Sequence, residues 1–263
     1  MTSILAVSDL HVGSTVAVCQ KQVELDDGGT YQASPGQRWL FDRWLDMVEK
    51  VKQYQPTVIL NGDLAEGDFK GRTYQLITRN KATVKRITAE LLDPLLKVCG
   101  SRYVIRGTPA HAGKSAHMEE SIADDIDATG PNVKINSWYY LPAKIDRVRI
   151  DVAHHTNAGG MPFTAASAAD RTARRVIEGY LQSGEAVPDL ILRSHVHVWS
   201  DSYDHYPVRA IHLPAWTFAT EYVNKIAPGT IADIGAVLVH VDGAKYEVEK
   251  LKYKPKDRIW VKL

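Results

Sequence analysis

The sequence has little of what marks disulfide-rich, secreted or membrane proteins. It contains 2 cysteines in 263 residues, Cys19 and Cys99, which form no C-x-x-C pair. This argues against a disulfide framework and against a zinc–thiolate site. The sequence also has no apolar run of about 18 residues, the length that a membrane span needs. No basic segment followed by an apolar one stands at the N-terminus. We therefore expect free thiols, no membrane span and a cytoplasmic protein.

A large charge of one sign is missing as well. The formal net charge is +1, with 24% charged and 44% hydrophobic residues. This balance excludes a strongly basic nucleic-acid-binding protein, although it allows a local basic patch. No internal repeat, low-complexity stretch or linker divides the chain. We therefore expect a single globular domain over residues 1–263.

Apolar patterning predicts an α/β protein with a β-rich end. The predicted strands are residues 4–7, 57–60, 103–105, 138–141, 148–153, 190–192, 208–213, 234–241 and 246–253. The predicted helices are residues 37–54, 74–98, 119–128 and 165–181. Pro94 should kink or restart the second helix. Residues 12–35 show little periodicity and predict a long loop or excursion.

Acidic and histidine side chains follow five of the predicted strands. They are Asp9 and His11, Asp63, His111, His154 and His155, and His195 and His197. Each of them alone could belong to an ordinary turn. In open α/β sheets, however, ligands bind beyond the carboxyl ends of the strands, so we expect these side chains to share one site. Residues two apart on an extended chain face the same side, which brings His195 and His197 together.

Imidazole and carboxylate groups without thiolate suit Mn, Fe, Zn, Ni or Co rather than Ca. Two carboxylates and four or five histidines exceed what one ion needs. Two ions about 3.5–4 Å apart, bridged by a carboxylate, would use them all. Such a pair binds a hydroxide, lowers its pKa and holds the oxygens of an in-line phosphoryl displacement. The residue set therefore predicts a dinuclear metal centre.

The order of these motifs resembles the calcineurin-like metallophosphoesterases. Over residues 4–198 the sequence has D-x-H, then G-D-x-x-E, a Gly-led turn with a His, a further His, and H-x-H. The resemblance implies a four-layer α/β/β/α sandwich of two mixed β-sheets flanked by helices. It also implies two divalent metal ions, with Mn favoured and Fe, Zn, Ni or Co as alternatives.

The resemblance also implies roles for individual residues. It gives the first ion Asp9, His11 and His197, gives the second ion His154 and His195, and makes Asp63 the bridge. Glu66 stands where the family often has an acidic residue that orients a ligand. His155 could exchange roles with its neighbour His154, and otherwise it faces away or orients a neighbouring group.

The third motif departs from the family pattern. The usual Gly-Asn-His is replaced by the stretch from Arg106 to His111, in which Thr108 takes the place of the Asn ligand. Thr108 could contact the metal weakly, water could fill the position, or His111 could move onto the metal. We favour His111 as the group that binds the phosphate or protonates the leaving oxygen. Lys114 follows this turn and is a further candidate for phosphate contact.

The sequence therefore predicts a metal-dependent hydrolase of phosphate esters in which a bridging hydroxide attacks phosphorus, with Asp63 and His111 as catalytic residues. A phosphodiesterase or nuclease is favoured, with DNA, RNA or a small phosphodiester as substrate. The alternative is a metal-binding or scaffold protein with a degenerate site and little catalysis. No membrane partner is expected, and the sequence leaves the oligomeric state open.

Overall fold

The computed structural model of the protein describes residues 1–71, 73–156, 167–229 and 231–255. The strands are β1 (Thr2–Val7), β2 (Gln22–Glu24), β3 (Thr30–Gln32), β4 (Thr57–Asn61), β5 (Arg102–Ile105), β6 (Ser137–Trp138), β7 (Leu141–Ile145), β8 (Val148–Val152), β9 (Leu190–Arg193), β10 (Ser200–Asp201), β11 (Arg209–His212), β12 (Ile234–Asp242) and β13 (Lys245–Tyr253). The helices are α1 (Pro35–Val51), α2 (Lys81–Leu96), α3 (Pro109–Ala112), α4 (His117–Asp125), α5 (Ala168–Ser183) and α6 (Glu221–Ile226), and a 3₁₀ turn (Lys52–Tyr54) follows α1.

Two mixed sheets form the centre of the fold. The first has the strand order β13-β12-β1-β4-β5-β6, and the second has the order β10-β11-β9-β8-β7. In the first sheet β1, β4, β5 and β6 are parallel, and β12 pairs antiparallel with both of its neighbours, β1 and β13. In the second sheet β8, β9 and β11 are parallel, and the edge strands β7 and β10 are antiparallel.

Three apolar cores separate four layers. Strand β1 is buried on both faces and supplies two of these cores through alternate residues. Leu5 packs with Trp44 and the other helix residues outside the first sheet. Ile4 packs against the second sheet, where Ile150 lies. A third core joins Ala173 of α5 to the outer face of the second sheet. The predicted α/β/β/α sandwich is therefore confirmed as the fold.

Local sequence signals explain where α1 begins. Ser34 accepts a hydrogen bond from the backbone N–H of Gln37, and the Gln37 side chain accepts one from the backbone N–H of Ser34. This capping box, with Pro35 in the first turn, defines the helix start. The apolar stripe predicted for residues 37–54 then packs on the first sheet.

The predicted helix over residues 74–98 is wrong at its start. Asn80 caps α2, because its side chain accepts hydrogen bonds from the backbone N–H groups of Ala82 and Thr83. The preceding segment pairs instead with the chain after β1, through bonds from Thr15 N to Gln75 O and from Ile77 N to Gly13 O. Pro94 does not restart the helix, because α2 continues through it to Leu96.

Two other segments differ from the sequence prediction. Residues 138–141 were expected to form one strand, but they divide between β6 of the first sheet and β7 of the second. The excursion at residues 12–35 includes the hairpin of β2 and β3. Helix α5 begins at Ala168, and residues 165 and 166 of the predicted helix lie outside the described residues. No helix in the described ranges is both long enough and apolar enough for a bilayer crossing.

Candidate metal centre

The loops after β1 and β4 lie side by side and carry the first acidic residues of the site. The backbone N–H of Asp9 donates to Gly62 O at 3.0 Å, and that of His11 donates to Asp63 O at 2.9 Å. Asp9 and Asp63 are 0% and 1% exposed. Because β1 and β4 are parallel neighbours, their carboxyl ends deliver both carboxylates to one edge of the sheet.

The backbone at the site adopts a conformation that ordinary residues avoid. Five candidate ligands have positive φ angles, namely Asp9 (51°), His11 (44°), Asp63 (50°), His195 (76°) and His197 (58°). Non-glycine residues in this region are uncommon and cost free energy, and they concentrate at functional sites. The strained loops therefore mark the same residues that the motifs do.

Asp9, His11 and His197 form the first ligand group. The distance is 3.3 Å between the Nε2 atoms of the two histidines, and Asp9 Oδ1 lies 3.2 Å from His197 Nε2 and 3.8 Å from His11 Nε2. Ligands about 2.1 Å from one ion are about 3.0–3.4 Å from each other. Two of the three distances meet that range, and the third exceeds it by a few tenths of an ångström.

One carboxylate oxygen in this group has no hydrogen bond. Asp9 Oδ2 accepts from Ser8 Oγ and from the backbone N–H of His195, at 2.7 and 3.2 Å. Asp9 Oδ1 is buried and accepts no hydrogen bond from any described residue. A buried acceptor without a partner is costly, so it calls for a ligand. A divalent cation between Oδ1 and the two Nε2 atoms fits this donor set.

Asp63, His154 and His195 form the second ligand group. His154 is completely buried, and its Nε2 lies 3.1 Å from Asp63 Oδ2. Its Nδ1 donates to the carbonyl oxygen of Asn61 at 2.7 Å, which leaves Nε2 as the atom able to bind a metal. The groups are adjacent, since His154 Nε2 lies 3.9 Å from Asp9 Oδ1.

Thr108 contacts the carboxylate of Asp63. Its backbone N–H donates to Asp63 Oδ1 at 2.7 Å, and its hydroxyl lies 3.1 Å from both Asp63 oxygens. The hydroxyl thus acts as a donor to a candidate ligand in this structure. The roles of Thr108 as a weak metal ligand and of Asp63 as the bridge between two ions stay predictions.

Two glycines allow these groups to pack closely. A Cβ atom on Gly62, whose φ is +81°, would lie 2.4 Å from His154 Nδ1. A Cβ atom on Gly107 would lie 2.1 Å from Asp63 Oδ1. No side chain larger than hydrogen fits at either position without displacing a candidate ligand.

Glu66 joins two histidines of the site. It lies 2.8 Å from His111 Nδ1 and 3.4 Å from His11 Nδ1, so both rings direct Nδ1 to one carboxylate. The Nε2 atom of His11 thereby faces the first ligand group. Burial opposes ionisation of Glu66, but the two histidines outweigh it and lower its pKa to about 2. Burial also opposes protonation of His111, yet Glu66 and Asp63 raise its pKa to about 9.

Sequence reasoning missed Glu119, in the first turn of α4. Its carboxylate is 1% exposed and accepts hydrogen bonds from the backbone N–H groups of Gly107 and Leu64. It therefore ties together the loops that carry Thr108 and Asp63. Burial and repulsion from Asp63 raise the pKa of Glu119 to about 7. No spacing in the sequence marks this residue, because it belongs to an ordinary amphipathic helix.

The other predicted residues lie at the margin. His155 is exposed, and its ring centroid lies 5.3 Å from that of His154 and 5.7 Å from that of His195. The structure thus buries His154 beside Asp63 and leaves its neighbour at the rim. The Lys114 side chain is exposed and forms no hydrogen bond or ion pair with the described residues.

Comparisons with known proteins give only distant likenesses. No family model matches the sequence, and neither does any curated protein. Wild-type Vps29 complexed with Zn²⁺ from Entamoeba histolytica is 10% identical with a TM-score of 0.46, over 95% of this chain and 99% of that chain. A metallophosphoesterase from Sphaerobacter thermophilus is 9% identical with a TM-score of 0.43, over 96% and 90%. A dimetal phosphatase from Danio rerio is 9% identical with a TM-score of 0.44, over 95% and 96%. Values this low assign no activity, so the function is argued from the site.

Proposed function

We propose that this chain is a single-domain, metal-dependent phosphoesterase with two divalent ions. The observation that carries the proposal is the pair of adjacent ligand groups, one around Asp9 Oδ1 and the other around Asp63 and His154. Each group offers carboxylate and imidazole, and strained backbone holds most of these residues. The motif resemblance to the calcineurin-like metallophosphoesterases supports the same conclusion.

When bound, the two ions would supply a water of lowered pKa and would neutralise charge on the phosphate oxygens. The chain's own contribution is to hold the ligands in place. Asn61 O fixes the His154 tautomer, Glu66 fixes the His11 ring, and Ser8 Oγ fixes one oxygen of Asp9. Fixed ligands reduce the reorganisation needed during reaction.

We propose that His111 acts on the substrate. Its Nδ1 is engaged by Glu66, so a proton passed to a leaving oxygen must come from Nε2. The His111 ring contacts the His11 ring edge to face, with centroids 4.5 Å apart. This contact keeps His111 beside the first ligand group, where a phosphate ester bound to the ions would lie.

We propose Mn²⁺ as the preferred metal, and a phosphodiester in DNA, RNA or a small molecule as the substrate. Ligand sets of imidazole and carboxylate suit Mn, although they also accept Fe, Co, Ni or Zn. The motif resemblance supports the diester, since the related enzymes include nucleases and phosphodiesterases.

The test replaces Asp63 by Asn and measures turnover of bis(p-nitrophenyl) phosphate with added Mn²⁺. Loss of the carboxylate charge should remove most activity and lower the bound Mn found by elemental analysis. Asp42→Asn is the matched control, because Asp42 is an exposed carboxylate that pairs with Lys21. Asp63→Asn with wild-type turnover would refute the mechanism.

The substrate is tested with a panel. The wild-type protein with Mn²⁺ is compared on aryl phosphate mono- and diesters, cyclic nucleotides, and single- and double-stranded DNA and RNA. We expect diesters to be hydrolysed faster than monoesters. Fewer than two metals per chain, together with no turnover on any substrate, would favour the metal-binding or scaffold alternative.

A further inference from the structure

A small cavity is lined in part by Glu66, which also contacts two histidines of the candidate metal centre. Its volume is about 110 Å³, and its wall includes Glu66, Asp68, Thr78, Arg79 and Lys81. One water occupies about 30 Å³ in the liquid, so the cavity has room for a group the size of a phosphate. None of the roles assigned above uses this cavity.

Neither cation in the cavity wall forms an ion pair with an acid among the described residues. Arg79 is exposed and has no ion-pair or hydrogen-bond partner among the described residues. The Lys81 ammonium lies 3.8 Å from the centroid of the Phe69 ring and forms no ion pair with the described residues. The hydroxyl of Thr78 adds an uncharged hydrogen-bond donor.

The acidic groups in the wall are already engaged. The Glu66 carboxylate accepts from His111 and from the backbone N–H of Asp68. Asp68 Oδ1 lies 3.4 Å from the backbone N–H of Thr73, which donates to it. The amide groups at the start of α2 take no part, since the Asn80 side chain caps them. The two cationic side chains are therefore the groups left to bind a ligand, and they favour an anion with several oxygens.

The cavity is tied to His111 through the backbone. The N–H of Gly67 donates to His111 O at 3.1 Å, and that of Phe69 donates to Ala110 O at 3.0 Å. Glu66 forms one wall of the cavity and also contacts His11 and His111. Glu66 therefore belongs both to the cavity wall and to the candidate metal centre.

We propose that this cavity is a subsite for a second phosphate of the substrate, and that the substrate is an oligonucleotide. The inference rests on the proposed function, because it places the scissile phosphate at the metal centre. Arg79 and Lys81 then bind the phosphate of a neighbouring nucleotide. They select polyanionic chains over diesters that carry one phosphate.

The test compares two substrates in the full-length protein with Mn²⁺. Bis(p-nitrophenyl) phosphate carries one phosphate, and a thymidine oligonucleotide carries several. We expect Arg79→Ala/Lys81→Ala to lower kcat/KM for the oligonucleotide about tenfold more than for the aryl diester. The dependence of log KM on log salt for the oligonucleotide should weaken by about 0.7, the value for one phosphate contact on a single strand.

Lys144→Ala/Arg147→Ala is the matched control. It removes the same two residue types from exposed positions, Lys144 in β7 and Arg147 in the turn between β7 and β8. It also changes the net charge by the same amount. It should leave the ratio of the kcat/KM values for the two substrates as in the wild type. If both double variants change the ratio alike, general electrostatic attraction explains the effect and the subsite is wrong.

A free anion is the competing occupant, and calorimetric titration with inorganic phosphate tests for it. The proposal would be overturned if phosphate binding needs Arg79 and Lys81 while Arg79→Ala/Lys81→Ala leaves the ratio of kcat/KM values for the two substrates unchanged. If the wild-type protein hydrolyses neither substrate, the proposed function fails. Oligonucleotide binding in EDTA, followed by fluorescence anisotropy, then decides the subsite. Weaker binding of Arg79→Ala/Lys81→Ala than of the control supports the subsite, and equal binding refutes it.

Discussion

Replacing Thr108 by valine removes one hydroxyl group and keeps the shape of the side chain. This hydroxyl lies 3.1 Å from both oxygens of Asp63 and can donate to one of them at a time. A hydrogen bond to a charged group contributes about 1.5–3 kcal/mol. The backbone N–H of Thr108 still donates to Asp63 in the variant. We therefore expect the low end of that range, a loss of about 1.5 kcal/mol in the free energy of unfolding.

Thr88→Val is the matched control for this measurement. Thr88 is buried in α2, and its hydroxyl donates to the carbonyl oxygen of Val84, which is a neutral acceptor within the helix. Its loss should cost at most about 0.5 kcal/mol, because such a bond to the preceding turn adds little to a helix. Urea unfolding in EDTA, with unchanged m-values, measures both variants. Equal losses in the two variants would refute the inference that the Thr108 hydroxyl stabilises the Asp63 carboxylate.

Two further predictions concern stability. Gly62→Ala places a Cβ atom 2.4 Å from His154 Nδ1 at a φ of +81°, so urea unfolding should show a loss of about 2–4 kcal/mol in the free energy of unfolding. In Gly179→Ala the new Cβ atom meets no atom within 4 Å, so the free energy of unfolding should rise by about 0.5–1 kcal/mol. A loss of similar size in both variants would contradict the steric argument. Burial lowers the pKa of His212 from 6.5 to about 4, so the unfolded chain binds the proton first as the pH falls. The contribution of His212 to the free energy of unfolding should therefore decrease by about 3 kcal/mol between pH 6.5 and 4, and an unchanged pH slope in His212→Gln would refute this assignment.

The sequence predicted that the candidate residues lie close together, because strand direction and strand ends follow from apolar runs. Asp9 and Asp63 each come directly after a buried strand, and parallel pairing of those strands is enough to bring them together. The contact between Thr108 and Asp63 could not be predicted in the same way. It depends on the torsion angles of the loop after β5, which no pattern of residue types specifies.

The two misplaced boundaries have a common physical cause. Leu76 and Ile77 fit the apolar spacing of a helix, but they belong to an extended segment whose backbone bonds to the chain at Gly13 and Thr15. A short apolar run is equally compatible with either structure. The stretch at residues 138–141 passes from one sheet to the other, and hydrophobicity does not report which sheet a strand joins.

The cavity beside Arg79 also escaped sequence reasoning. The two cations are close in sequence, but their importance comes from the neighbouring loop, which carries Glu66 and is tied to the His111 turn. An Arg just before a helix and a Lys in its first turn are otherwise typical of an exposed surface. Only the folded chain shows that they border a cavity that Glu66 also lines.

Each ligand group draws on both sheets of the sandwich. In the first group Asp9 and His11 follow β1 of the first sheet, while His197 follows β9 of the second. Ions bound there would hold the two sheets together at one end of the core that lies between them. Because coupled binding free energies are reciprocal, a substitution that disturbs the arrangement of the two sheets at this end should weaken metal affinity. A cavity-forming substitution such as Ile150→Ala, in the second sheet, should therefore lower the metal affinity measured by titration.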